Sequence, residues 1–129
     1  MFGRNIWDQA LTYGHYNLHD MGLLRQPIGG HDSFADYCRH HNIQLLAAAP
    51  LSMGLLTNQG PPEWHPASSG LKEACRKAAA ICRERSVDIA TLALVVAFAT
   101  PRIPCTILGL KDVQQVRTVQ TIAQRFRNV

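Results

Sequence analysis

Long apolar runs are missing from this chain. Its most hydrophobic stretch, from Ile89 to Ala99, falls well short of the ~20 residues needed to cross a bilayer. No apolar run follows Met1, and Ile6-Trp7 is too short for the core of a signal peptide. The expectation is a soluble, cytoplasmic protein without a membrane partner. Cysteine is scarce: the four present, Cys38, Cys75, Cys82 and Cys105, read as free thiols of a reducing compartment and not as a disulfide framework. Neither a Cys-x-x-Cys nor a His-Glu-x-x-His spacing occurs, and adjacent helical residues such as His40 and His41 point about 100° apart. No metal site is therefore expected, and the six histidines read as surface residues. Charge of one sign is also modest, with 13 Lys and Arg against nine Asp and Glu for a net +4. Lys72, Arg76, Lys77, Arg83 and Arg85 are interleaved with Glu73 and Glu84, a solvated helix face and not the basic stripe of a nucleic-acid binder.

What is present begins with Gln44–Leu56. Ile43 to Ala49 is a short, almost continuous apolar run, stopped by Pro50 and Gly54. That pattern predicts a parallel strand covered on both faces, opening into a loop. Ligands gather where such strands end, so the segment from Ala48 to Gly54 is the first candidate for a binding edge. Upstream, Asp8–Leu18 reads as a strand broken by Gly14, and Met21–Leu24 as a turn of helix. Asp32-Ser33 caps a short helix carrying Phe34, Tyr37 and Cys38 on one face, which Asn42 can end in the left-handed conformation. Strand, helix and strand then form a right-handed crossover.

Downstream, Ser69 can cap a helix whose Leu71, Cys75, Ala78, Ala79 and Cys82 make one stripe, with a Glu73–Lys77 pair on the other side. Asp88 caps a second helix from Ile89 to about Thr100, apolar on nearly every side and ended before Pro101. Such a helix must be sandwiched between other elements. Ile103–Leu108 is a further short strand ending at Gly109, and Asp112 starts a last helix with Val113, Val116 and Ala123 inward.

Ala48-Ala-Pro-Leu-Ser-Met-Gly-Leu-Leu56 and its continuation Thr57-Asn-Gln-Gly-Pro-Pro-Glu-Trp-His-Pro-Ala-Ser68 resemble the seventh-strand segment of the aldo-keto reductases, in their L-galactose dehydrogenase-like branch. The resemblance runs from about Asp8 to about Val119, leaving residues 1–7 as an irregular segment and 120–129 as a divergent tail. It implies an α/β fold, a partial (β/α)8 TIM barrel comprising roughly strands six to eight with their helices. A closed barrel needs about 250 residues, and this chain has 129.

By resemblance, this part of the barrel binds NAD or NADP. Ala49, Pro50, Leu51, Ser52, Met53 and Gly54 would lie along the pyrophosphate, largely through backbone N–H groups. Gly109 and Lys111 match a phosphate and ribose loop at the start of the last helix, and Gln115 matches an adenine contact. The Glu and Asn that should follow are Thr118 and Val119, and Ala49 stands where the family usually has Ser. The family's catalytic Asp, Tyr, Lys and His lie on earlier strands, so no catalytic residue is assigned here, Tyr13, His15 and Tyr16 included. Trp64 is expected to anchor its loop over apolar surface. The resemblance implies an NAD(P)-dependent oxidoreductase that oxidises a sugar substrate, an aldose such as L-galactose, at C1 to a lactone, in a truncated form inactive alone. The alternative is a non-catalytic binding or interaction protein of the same ancestry. Exposed sheet edges and the apolar faces of the helix from Ile89 to Ala99 would then favour self-association.

Overall fold

Two crossovers bring three strands side by side, each running the same way. The computed structural model describes residues 6–126. They form β1 (Gln9–Tyr13), α1 (Gly22–Arg25), α2 (Phe34–His40), β2 (Gln44–Ala48), α3 (Ser69–Glu84), α4 (Ile89–Ala99), β3 (Cys105–Ile107) and α5 (Val113–Phe126). The sheet order is β1-β2-β3, all parallel, with Leu11 opposite Leu46 and Leu46 opposite Cys105. Parallel neighbours joined through helices are the repeating unit of an α/β barrel, and the expected partial barrel is what forms.

Local chemistry sets most boundaries. The Ser33 side chain accepts from Asp36 N and starts α2, Asn42 closes it at φ 55°, and the Asp88 side chain accepts from Thr91 N to start α4. Two boundaries differ from expectation. β1 ends at Tyr13, because Gly14 turns at φ 77° and Asn17 folds the following residues into a bonded loop. Ser68, not Ser69, caps α3: its side chain accepts from Leu71 N and Ser69 is already helical. Part of the irregular segment expected at the N-terminus, residues 1–5, lies outside the described residues.

The core has two centres. Leu45 and Ala47 on one face of β2 pack with Tyr16, Leu23, Ala35, Cys38 and Ile103. Leu55 and Leu56, beyond the sheet, pack with Cys75 and Ala79 of α3 and with Ile89 and Ala93 of α4. Ala78, expected in the α3 stripe, is exposed. α4 sits between α3 and α5, burying Ile89, Ala93, Leu94 and Ala97. The helix is thus sandwiched as expected, while Leu92 and Ala99 stay exposed.

The open apolar surface lies on the sheet. Leu11 is 57 % and Tyr13 55 % exposed, Ile107 is 41 % exposed, and Leu46 beside them is half-buried. β2 is thus covered fully at Leu45 and Ala47 on one face, whereas on the other Leu46 is half-buried and Ala48 at the strand's end is buried. α5 is also turned from its expected phase. Gln115, Val119, Ile122, Ala123 and Phe126 make its covered face, whereas Val113 and Val116 are exposed. Among the described residues, no helix is long and apolar enough to cross a membrane.

These positions predict opposite outcomes for two aliphatic residues. Ile89→Ala, at a site 1 % exposed, should lower the unfolding free energy by about 2–4 kcal/mol. Val113→Ser should change it by no more than ~0.5 kcal/mol, and urea denaturation of both variants checks the pair.

Candidate functional site

At the end of β2 the backbone enters a run of unusual conformations. Ala49, Ser52 and Met53 lie at φ 60°, 48° and 50°, and Gly54 at 95°. Left-handed φ costs a residue with a Cβ on the order of 1 kcal/mol, so three such residues in one turn need strong anchorage. At Gly54 a Cβ would come within 3.2 Å of the Gly60 carbonyl oxygen, which together with the positive φ strains any side chain there. The neighbouring strands tie in at the same level: Gly14 N donates to Ala48 O at 3.0 Å and Ala49 N to Ile107 O at 3.2 Å.

Two histidines supply the anchorage. His65 is buried; its Nδ1 accepts from Ala67 N at 3.0 Å and its Nε2 lies 3.1 Å from Ser52 O. A carbonyl can only accept, so Nε2 carries the proton and one ring bridges the turn to the entry of α3. His19 Nε2 lies 2.8 Å from Ser52 Oγ. Burial pushes the His19 ring below the ordinary histidine range, Asp20 and its own backbone bond act upward, and His65 adds to the downward shift.

His19 is itself held by Asn17, which is fully buried. The Asn17 side chain donates to Gly14 O at 2.9 Å and accepts from His19 N and Asp20 N, each at 3.0 Å. Asn17, His19 and His65 are not among the expected site residues; the surface reading of the histidines holds for His19, which is exposed, and fails for the buried His65. The available signal was Trp64-His65 set among prolines. Trp64, the expected anchor, is 73 % exposed, because the buried loop needs a polar bridge that an indole facing apolar surface would not supply. Tyr16 is buried with its hydroxyl donating to Val96 O at 3.2 Å, and burial raises its pKa. It braces β1 against α4.

A groove of about 430 Å³ opens beside this turn. Leu51, Gly109, Lys111 and Gln115 line it together, with Leu94, Leu108, Leu110 and Val119 as apolar wall. Ala49, Pro50, Ser52, Met53 and Gly54 stay on the adjacent turn and do not line it. Gln115 Oε1 accepts from Lys111 N at 3.0 Å and Asp112 Oδ1 from Gln115 N at 2.8 Å. The polar end of the groove is therefore closed on itself. Asn58 Nδ2 donates to Asp88 Oδ1 at 2.8 Å along another wall. Among the described residues, no three His, Cys, Asp or Glu side chains are placed to hold a metal ion.

Residues 31–125 match the Aldo/keto reductase family. The chain is 39 % identical over 109 residues to the L-galactose dehydrogenase of Arabidopsis thaliana, covering 84 % of this chain and 32 % of that protein. It is 34 % identical over 88 residues to the D-arabinose 1-dehydrogenase of Saccharomyces cerevisiae (strain ATCC 204508 / S288c), covering 67 % of this chain and 24 % of that protein. It thus spans about a third or less of the length of these curated relatives.

The Asn17 loop can be tested directly. Asn17→Ala leaves one carbonyl and two amides without partners in a buried site, so a loss of about 2–4 kcal/mol is expected. Thermal unfolding reads it. A change under ~0.5 kcal/mol would show that water replaces the side chain without cost.

Proposed function

We propose a function on the premise that this chain belongs to the aldo/keto reductase family: it provides the dinucleotide-binding edge of an NAD(P)-dependent dehydrogenase that oxidises an aldose at C1 to a lactone. One observation carries the reading. Leu51 from the β2 turn and Gly109, Lys111 and Gln115 from the β3–α5 connection, far apart in sequence, line a single groove beyond the C-terminal ends of parallel strands, where barrels of this kind bind ligands. The groove's volume falls within the range of small-ligand sites. Its leucines and valine suit a base or ribose, and Lys111 offers a cation to a phosphate.

When bound, NAD or NADP supplies the hydride acceptor. The residues of this chain bind and orient. In the β2 turn the amides of Ala49, Ser52 and Gly54 are bonded to Ile107 O, Ala49 O and Leu51 O, so an anion there would be met by the amides of Leu51 and Met53, at little demand on side-chain identity, which accommodates Ala49 where the family usually has Ser. The leucines of the wall exclude water. Gln115 must release the Lys111 N–H before either group can meet a ligand. Thr118 and Val119, in place of the usual polar pair, weaken the adenine end. No residue here is assigned to proton transfer, because the Asp, Tyr, Lys and His set of the family belongs to strands outside the resemblance.

Titration calorimetry of the purified chain is expected to show micromolar binding of NAD+ or NADP+. Lys111→Glu should weaken it about tenfold or more, since a charge-assisted contact is lost and a repulsive one gained. Absence of binding would overturn the cofactor reading. With L-galactose and NAD+ the chain alone should give no protein-dependent NADH, and clear turnover would overturn the placing of the proton-transfer set on other strands.

A second reading, that of an interaction protein, is favoured by the uncovered sheet face of Leu11, Tyr13, Leu46 and Ile107. Strand edges and apolar sheet faces invite pairing. Under it, light scattering should give a mass that rises with concentration; a compact, stable monomer counts against it.

A further inference from the structure

A second cleft, of about 340 Å³, lies at the opposite end of the sheet from the β2 turn. Gln44 and Leu45 open β2 there, and Pro101, Arg102 and Pro104 lead into β3 on the other side. Ala35, Cys38 and Leu45 are buried and give the cleft an apolar floor. Along the same lining stand two guanidinium groups, those of Arg39 and Arg102, with one carboxylate, that of Asp36.

Arg102 is held in place by residues far back along the chain. Its Nη2 donates to Ser33 Oγ at 2.7 Å and to Asp36 Oδ2 at 2.6 Å. Ser33 in turn donates to Asp36 Oδ2 at 2.6 Å and accepts from Asp36 N at 3.2 Å, so its single hydroxyl proton and both lone pairs are used. Both side-chain bonds of Arg102 fall on Nη2, which leaves the donors of Nε and Nη1 for another acceptor. Arg39 meets Asp36 Oδ1 through its own Nη2 at 3.0 Å. One carboxylate thus answers two guanidiniums, and at neutral pH the lining carries an unbalanced positive charge.

We propose that this cleft binds a small organic monocarboxylate, its anionic end against Arg39 and Arg102 and its apolar body on the floor of Ala35, Cys38 and Leu45. The charge balance suits one negative charge and not two. The floor selects against inorganic phosphate, which has no apolar surface to bury. A neutral ligand of the same shape leaves the excess charge unanswered. Because Arg102 is already fixed, little side-chain freedom is lost when an anion arrives. The cleft is separate from the Leu51–Lys111 groove and stands whether or not that groove binds a dinucleotide.

Benzoate is the probe, with benzamide as its neutral counterpart of nearly the same shape. Calorimetric titration of the chain at neutral pH should give saturable benzoate binding with a Kd of roughly a millimolar or below, the scale open to so small a ligand. Benzamide and inorganic phosphate should each bind at least about tenfold more weakly, since one lacks the charge and the other the apolar body. Arg39→Gln and Arg102→Gln should each weaken benzoate about tenfold. Arg76→Gln, which removes an arginine on α3, should leave it unchanged, and NAD+ should not displace it. Absence of saturable benzoate binding, equal binding of benzamide or phosphate, displacement by NAD+, or affinity that survives both Arg39→Gln and Arg102→Gln would each overturn the site. Should Arg102→Gln fail to fold, Arg39→Gln decides, because that side chain is 79 % exposed and its loss spares the Ser33–Arg102 bond. In the unaltered chain, benzoate must also shift the backbone amide resonances of Ala35, Cys38 and Leu45, and shifts confined to the Lys111 groove overturn the proposal.

Discussion

Everything in this chain hangs on β2, the strand hydrogen-bonded on both sides. Because β1 and β3 pair with it in parallel, each connection must cross over through helices, and the exits of all three strands fall on one edge. At the top of the sheet Gly14 N donates to Ala48 O and Ala49 N to Ile107 O. The loops carrying His19, Ser52 and Lys111 all start from this level. The site is a consequence of strand direction before it is one of side-chain chemistry.

Which parts were legible follows from which signals are local. Caps are local: Ser33, Asp88 and Asp112 could be read because each side chain serves an amide three residues on. The three strands and their order with the helices were legible from apolar runs bounded by Gly and Pro. The phase of α5 was not, because its inward positions begin with Gln115, and hydrophobicity assigns a glutamine to solvent. Gln115 can face inward because its carboxamide accepts the Lys111 amide, a bond invisible to a hydrophobic count. The same difficulty hid His65. Tryptophan draws the eye as an anchor, but a buried loop is limited by unmet backbone polar groups, and the imidazole, unlike the donor-only indole, can serve a carbonyl and an amide at once.

The distribution of apolar exposure shows what the local pattern could not. α4 is apolar on nearly all sides, and it buries much of that pattern by packing between α3 and α5, with Leu92 left exposed. The sheet does not satisfy its own. Leu45 and Ala47 are buried under helices, while Leu46 on the opposite face is only half covered. In a closed barrel that face looks onto the other strands across the interior and is filled by layers of side chains. The layer here contains Leu11, Leu46 and Cys105, then Tyr13, Ala48 and Ile107.

A strained turn at such an edge needs a reason to persist. Three residues with side chains sit in the left-handed region between Ala49 and Gly54, a combined cost of a few kcal/mol that a plain strand-to-helix connection would avoid. The bonds holding it come from outside the turn, from His19 on the β1 loop and His65 before α3. Loss of the His19 bond would take from Ser52 Oγ its side-chain partner, and loss of the His65 bond would leave Ser52 O with Leu55 N alone; either leaves the turn with less to offset its strain. A loop held in this way keeps one arrangement, with the amides of Ala49, Ser52 and Gly54 bonded to Ile107, Ala49 and Leu51 carbonyls. The strain at Ser52 is thus offset by side chains from two other parts of the chain, His19 and His65.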